Sequence, residues 1–300
     1  MLDSRLTEQR NPRSAELDRL SPLELVRLIN QEDQGVAEAV GMEAEAIARG
    51  MELVAETLAG GGRLFYVGAG TSGRLGVLDA AEMPPTFGTR PEQVQGIIAG
   101  GYDALVRARE GAEDRPEDGA RDLEERGVSP GDFVLGIATS GTTPYVHGAL
   151  DRARERGART GFLLCTPPSP ELRRRHDVVI APLVGPEVVT GSTRMKAGTA
   201  TKLVLNTLTT GAMVLNGKVW GNLMVDLQVT CQKLQDRGER ILQVTLGVDL
   251  ARARALLGEA GGRVRTALVM ESRGVGREEA EALLDEAEGQ VGDLLDRGPP

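Results

Sequence analysis

The chain has 300 residues, with 35 Lys and Arg against 44 Asp and Glu, a formal charge of −9, two His and two Cys. That length suits one α/β core of roughly 150–200 residues with helical additions, and the acidic balance argues against nucleic acid or an anionic membrane surface as partner. Cys165 and Cys231 cannot form a Cys cluster and His147 and His176 start a metal site poorly, so neither metal nor cofactor is expected and the thiols fit a reducing compartment.

Met1 to Arg5 lack the apolar core of a signal peptide, and no run approaches the roughly 20 apolar residues of a membrane span. A cytoplasmic protein is expected. Residues 1–20, broken by Asn11-Pro12, read as an extended polar arm. Ser21-Pro22-Leu23-Glu24 has the N-cap Ser, first-turn Pro and Glu of a capping box, followed by Leu25, Leu28 and Ile29 at helical spacing. A second helix runs through Val36, Val40, Ile47, Met51, Val54 and Leu58 and stops at Gly60-Gly61-Gly62, where glycine favours termination. Short apolar runs follow at 64–67, 96–99, 133–137, 160–164 and 178–180, with helix-length spacers between them. Such runs predict a doubly wound, five-stranded parallel sheet flanked by helices, with near-continuous apolar strands because both faces are covered. A buried helix is expected over 197–217, another over 222–245, and three short helices around Gly258, Gly261-Gly262 and Gly274. The expected segments are 1–59 for the arm and N-terminal helices, 60–220 for the sheet domain, 221–247 for a connecting helix and 248–300 for a small helical module.

Two loops carry the chemistry. Gly68-Ala69-Gly70-Thr71-Ser72-Gly73-Arg74 follows the first strand and opens a helix, so its N–H groups and the helix dipole favour an anion, with Thr71 and Ser72 adding hydroxyls. It has neither the Gly-Lys-Ser/Thr ending of a Walker loop nor the third Gly of the dinucleotide fingerprint. Taken alone, an ordinary glycine-rich turn fits it equally well. Ala138-Thr139-Ser140-Gly141-Thr142-Thr143-Pro144 repeats the pattern after the third strand, and open α/β sheets bind ligands at the carboxyl ends of their strands. With no Lys in either loop, neutral donors would hold the phosphate, which suits a phosphorylated sugar better than a nucleotide undergoing phosphoryl transfer. The expected contacts are Gly70, Thr71, Ser72, Thr139, Ser140, Gly141 and Thr143.

Longer segments then resemble a known family. Gly70 to Arg74, Leu78-Asp79-Ala80-Ala81-Glu82-Met83-Pro84-Pro85-Thr86-Phe87, Arg109-Glu110-Gly111-Ala112-Glu113-Asp114, and the run from Glu187 to Lys202 with Thr190-Gly191-Ser192-Thr193-Arg194-Met195-Lys196 are similar to the signatures of the N-acetylmuramic acid 6-phosphate etherases. The similarity extends to Thr7 to Pro12 and Gly217 to Leu227, and departs at Cys165-Thr166, where the family carries Asn after the Cys. It implies the sugar isomerase (SIS) fold, a cytoplasmic homodimer, and N-acetylmuramate 6-phosphate as substrate, cleaved with water to N-acetylglucosamine 6-phosphate and D-lactate. It also implies Glu82 and Glu113 as the catalytic pair, with Glu110 among the sugar-binding residues.

Elimination across C2 and C3 of a ring-opened sugar needs a base at C2 and an acid at the lactyl oxygen, and two carboxyls with separated pKa values provide both. Glu82 is assigned the acid and Glu113 the base. A helix from about Gly73, ended by Pro84-Pro85, would carry Glu82 roughly 12–14 Å from its start, farther than a sugar phosphate reaches, so Glu82 is expected to complete the partner subunit's site. Arg194, Lys196 and Lys202 could charge-match the phosphate or lactate, or serve the surface and helix ends. The competing readings are a sugar-phosphate isomerase, which would release no lactate, and a non-catalytic sensor like the glucokinase regulatory protein, which carries two copies of the sugar-binding domain.

Overall fold

The computed structural model describes residues 5–227, 229, 232–287 and 289–295; Met1 to Ser4, Cys231 and the chain end from residue 296 lie outside them. The capping box at Ser21 forms as the sequence predicts, the Ser21 hydroxyl accepting from the Glu24 amide while Glu24 accepts from the Ser21 amide. It opens α1 (Pro22–Gly41), and α2 (Ala44–Ala59) follows. Val36 and Val40 therefore end the first helix, and the break falls at Met42-Glu43.

The arm is not extended. It forms three 3₁₀ turns at Leu6–Glu8, Pro12–Ser14 and Leu17–Arg19, docked by polar side chains: Asn11 donates to Glu32 and to the Pro186 carbonyl, and Ser14 donates to the Val188 carbonyl. Composition marked the segment as polar but could not show that its polar groups have buried partners.

Five parallel strands, β1 (Leu64–Gly68), β2 (Val94–Ile98), β3 (Phe133–Ile137), β4 (Arg159–Leu163) and β5 (Val178–Ile180), are ordered β2-β1-β3-β4-β5. The doubly wound α/β architecture expected from the apolar runs is present. Every residue of β1 and β3 is buried because both faces are covered. Phe65, Val67, Val134 and Phe162 meet α4 (Pro116–Glu124) and α5 (Pro144–Glu155) in one core with Leu123, Val146 and Leu150. The opposite face carries α2, α3 (Gly70–Phe87) and the start of α7 (Lys196–Leu215). There Tyr66 bonds to Asp79, and Gly50 lies against Leu208 and Ile180. A short helix α6 (Pro170–Arg175) joins β4 to β5.

Helix α3 corrects the expected stop at Pro84-Pro85: both prolines lie inside it and it continues to Phe87, where the Gly88 amide bonds the Pro84 carbonyl. Proline removes its own amide but leaves the carbonyl able to close the next turn. The prolines weaken the helix without ending it.

The chain divides into two compact units, residues 1–81 with 92–209, and residues 82–91 with 210–300. The second contains a two-stranded hairpin absent from the sequence reading, β6 (Val219–Trp220) and β7 (Leu223–Met224), then α8 (Gln232–Leu246). Three short helices, α9 (Leu250–Glu259), α10 (Val264–Arg273) and α11 (Arg277–Glu286), follow the tail pattern. Leu242, Leu256, Leu268 and Leu284 share a core with Trp220 and Val225.

Candidate active site

The sheet order places a topological switch between β1 and β3, whose ends pair as Gly68 with Ile137. From β1 the chain leaves through α3 towards β2, and from β3 through α5 towards β4. The two loops therefore diverge from one crevice, the position at which such sheets bind ligands.

The first turn depends on close approach. A Cβ on Gly73 would lie 2.8 Å from the Gly68 carbonyl oxygen and 2.6 Å from Ile98 Cγ1, and Gly70 has φ of 52°. Glycine lets the start of α3 sit against the ends of β1 and β2, and the first amides of a helix lack an intrahelical partner. Ser72 is buried and Thr71 half-buried.

In the second loop, the Gly141 amide bonds the Ala138 carbonyl at 2.8 Å. The Ser140 and Thr142 hydroxyls lie 3.1 Å apart, and Nε2 of His147 is 2.9 Å from the Gly141 carbonyl oxygen. Thr143 is the N-cap residue of α5, and the Thr139 carbonyl accepts from the Cys165 amide. Ser140 and Gly141 line a groove of about 490 Å³ with Arg5, His147, Thr166 and Arg175. Arg5 reaches in from the arm and donates to the Thr142 hydroxyl at 3.2 Å.

Gly70, Glu110 and Glu113 line a separate cavity of about 170 Å³ together with Arg74 and Arg109. Thr71, Ser72, Thr139 and Thr143 line neither space. The Glu113 side chain is solvent-accessible, yet its carboxyl is raised above the ordinary value, first by desolvation and then by Asp114 and Glu110. An environment of this kind prepares a carboxylate to take up a proton nearer neutral pH. Glu82 is exposed on α3, a little over three helical turns beyond Gly70.

Of the cations considered from sequence, Lys196 is committed elsewhere: its Nζ pairs with Glu32 at 2.7 Å, and both side chains are buried. Glu187 accepts from the Lys196 and Ala197 amides and caps α7. Arg194 and Lys202 are exposed. The Cys165 thiol is fully buried and pushed up to about 12 by desolvation and then Glu187, so it is no nucleophile. Burial and then nearby Arg154 and Arg175 lower His176 to about 4. Among the described residues, no three His, Cys, Asp or Glu side chains are grouped to hold a metal.

Two polar features escaped the sequence reading. Asp79 is buried and accepts from Tyr66, Asn206 and Thr209, tying α3 to β1 and α7. Burial raises its pKa despite those donors. It lies inside a segment already singled out, but three turns of helix spacing gave no sign that a carboxylate faced the sheet. Arg74 was likewise part of a quoted motif. Its Nε donates to the Leu105 carbonyl at 2.9 Å and its Nη2 to the Ala104 carbonyl at 2.7 Å.

Residues 46–154 match the model of the glucokinase regulatory protein N-terminal SIS domain. The phosphoheptose isomerase of Neisseria gonorrhoeae aligns with a TM-score of 0.48 at 20% identity, covering 64% of this chain and 98% of that one. Much closer in sequence are proteins named N-acetylmuramic acid 6-phosphate etherase. The one from Synechococcus elongatus is 58% identical over 286 residues, 95% of this chain and 93% of that protein. Those of Salinibacter ruber and Rhodopirellula baltica are 53% identical over 285 residues, 95% and 92% of the two chains, and 51% identical over 294 residues, 98% and 97%. At such identity along nearly the whole length, the chain belongs to the N-acetylmuramic acid 6-phosphate etherase family.

Proposed function

We propose that the protein is a carbon–oxygen lyase that cleaves the D-lactyl ether of N-acetylmuramate 6-phosphate with water, giving N-acetylglucosamine 6-phosphate and D-lactate in amino sugar catabolism. The observation that carries this is the 58% identity over 95% of the chain with a protein of that name. The switch-point crevice supports it, because two turns rich in amides and hydroxyls suit a phosphate that stays attached throughout.

In the proposed mechanism, Gly70, Thr71 and Ser72 with Thr139, Ser140, Gly141 and Thr143 hold the 6-phosphate, and Glu110 contacts the sugar. Ring opening exposes the C1 aldehyde, which acidifies the C2 proton. Glu113 removes that proton, and the electron pair forms the C2–C3 double bond as the C3–O bond breaks and Glu82 protonates the lactate oxygen. Water then adds at C3 while a proton returns to C2. The raised pKa of Glu113 supports its assignment as base. Glu82 acts at the partner subunit's site in a homodimer located in the cytoplasm; its place far along α3 from Gly70 favours this.

Incubation with N-acetylmuramate 6-phosphate in ¹⁸O-labelled water tests the reaction. Label at C3 of the sugar is the expected result. Label in lactate would indicate attack at the lactyl carbon, and absence of product would refute the assignment.

A further inference from the structure

The segment between β2 and α4 carries Glu110 and Glu113 but has little structure of its own. Its ordered pieces are two 3₁₀ turns, Tyr102–Leu105 and Ala112–Asp114. Between them, among the described residues, no backbone-to-backbone hydrogen bond leaves an amide of residues 108–113. Gly100, Gly101 and Gly111 have φ of 86°, 74° and 73°, conformations that glycine adopts without penalty and that mark the ends of the segment as bends. Tyr102 and Val106 are more than four-fifths exposed. The Arg109–Asp103 ion pair is exposed on both sides and contributes little hold in water.

Ala104 is buried and Ala112 packs against the core shared by the sheet and α5; the polar tie from this segment to α3 is Arg74. It stands in the first turns of α3, the helix whose start forms the anion-binding turn, and its guanidinium grips the consecutive carbonyls of Ala104 and Leu105. Charge-assisted bonds from a planar fork fix direction as well as distance. Arg74 also lines the cavity that Gly70 and Glu113 share. We infer that Arg74 is a positioning residue: it clamps the Glu113-bearing segment to α3, so that the base is held in register with a sugar whose phosphate is anchored on the same helix.

This rests on the assignment of Glu113 as base, and the test separates the two ideas. Arg74→Ala and Arg74→Lys are compared with Glu113→Gln for kcat and KM on N-acetylmuramate 6-phosphate, for thermal unfolding, and for tryptic cleavage after Arg107 and Arg109. Arg74→Ala should lose roughly 100-fold in kcat, the scale of a 1 Å misplacement, with KM changed by less than about 3-fold because the phosphate turns remain. Tryptic cleavage in the 107–109 stretch should accelerate, added guanidinium should restore part of the activity, and Arg74→Lys, with one point charge for two carbonyls, should fall between.

Wild-type kcat in Arg74→Ala alongside an inactive Glu113→Gln would overturn the clamp and leave the base assignment standing. Full activity in Glu113→Gln would overturn the base assignment itself. If Arg74→Ala fails to fold, the Lys variant decides: unchanged kcat and cleavage rate would refute the clamp.

Discussion

Replacing Gly73 with Ala tests whether the anion-binding turn depends on how tightly α3 is seated. The new Cβ would lie 2.6 Å from Ile98 Cγ1, 2.8 Å from the Gly68 oxygen and 3.0 Å from the Gly68 carbon, against about 3.5 Å for an unstrained contact. The Ile98 side chain can rotate away. The Gly68 carbonyl cannot, because it accepts from the Ala99 amide at 3.0 Å within the ladder end. The helix must therefore lift by roughly 0.5 Å, an overpacking cost of about 1–3 kcal/mol, offset by up to about 1 kcal/mol of better helix propensity. A net loss of about 1–2 kcal/mol is expected in urea unfolding followed by far-ultraviolet circular dichroism. Because the proposed phosphate site uses the helix start, calorimetry should also show weaker binding of N-acetylglucosamine 6-phosphate, by roughly 10-fold or more (about 1.4 kcal/mol). Gly50→Ala is the control: its Cβ would meet the terminal Cδ2 of Leu208 at 2.9 Å, on α2 and outside both loops. The reasoning fails if Gly73→Ala binds the sugar phosphate as well as the wild type, or if Gly50→Ala weakens binding to the same extent.

If Glu113 is the proposed general base, Glu113→Gln should lower kcat by roughly 10²–10⁴-fold. Since Glu113 works ionised and its pKa is raised from 4.5, activity should fall as pH drops through a midpoint above that value; an acid limb at or below it would contradict the assignment. Asp132, buried at the amino end of the central strand β3, accepts from Arg63 and Ser129. Desolvation alone would raise its pKa, but those donors outweigh it and the net shift is downward. Asp132→Ala should cost about 1–3 kcal/mol near neutral pH, because the Arg63 and Ser129 amides lose their acceptor while the Arg63 guanidinium keeps the Arg126 and Gly127 carbonyls. A depressed carboxylate stabilises the fold above its unfolded pKa and loses that contribution as pH falls through the folded value, so the gap between variant and wild type should narrow in acid. Gly35 lies inside α1, and a methyl group added there would meet nothing within 4 Å. Changing it to Ala should add about 0.5–1 kcal/mol of stability; a loss on urea titration would mean that this face is covered.

Strand positions were legible because burial on both faces writes itself as unbroken apolar runs. Phe133 to Ile137 and Val178 to Ile180 were located to the residue, and the other three strands to within two. Helix starts with side-chain caps, such as Ser21, were equally readable. Ends were harder wherever the deciding contact is distant in sequence. Pro84-Pro85 looked like a stop because proline's local cost is visible and the surrounding packing is not. The arm looked extended because nothing near Asn11 announces Glu32 or the Pro186 carbonyl as its partners.

The site divides along the same line. Glycine and hydroxyl turns are local patterns, so the sequence placed both turns at strand ends; the acidic neighbours of Glu113, Glu110 and Asp114, are local too, but the desolvation that leads its upward shift comes from the fold and no periodicity describes it. Arg74 shows the limit. It was readable as the last residue of a loop motif, and by residue type it could have faced an anion. Its guanidinium instead grips the carbonyls at 104 and 105, about thirty positions away. A cation beside a glycine-rich turn thus holds the polypeptide that carries Glu113, and in the proposed site the phosphate is left to the amides and hydroxyls of the two turns.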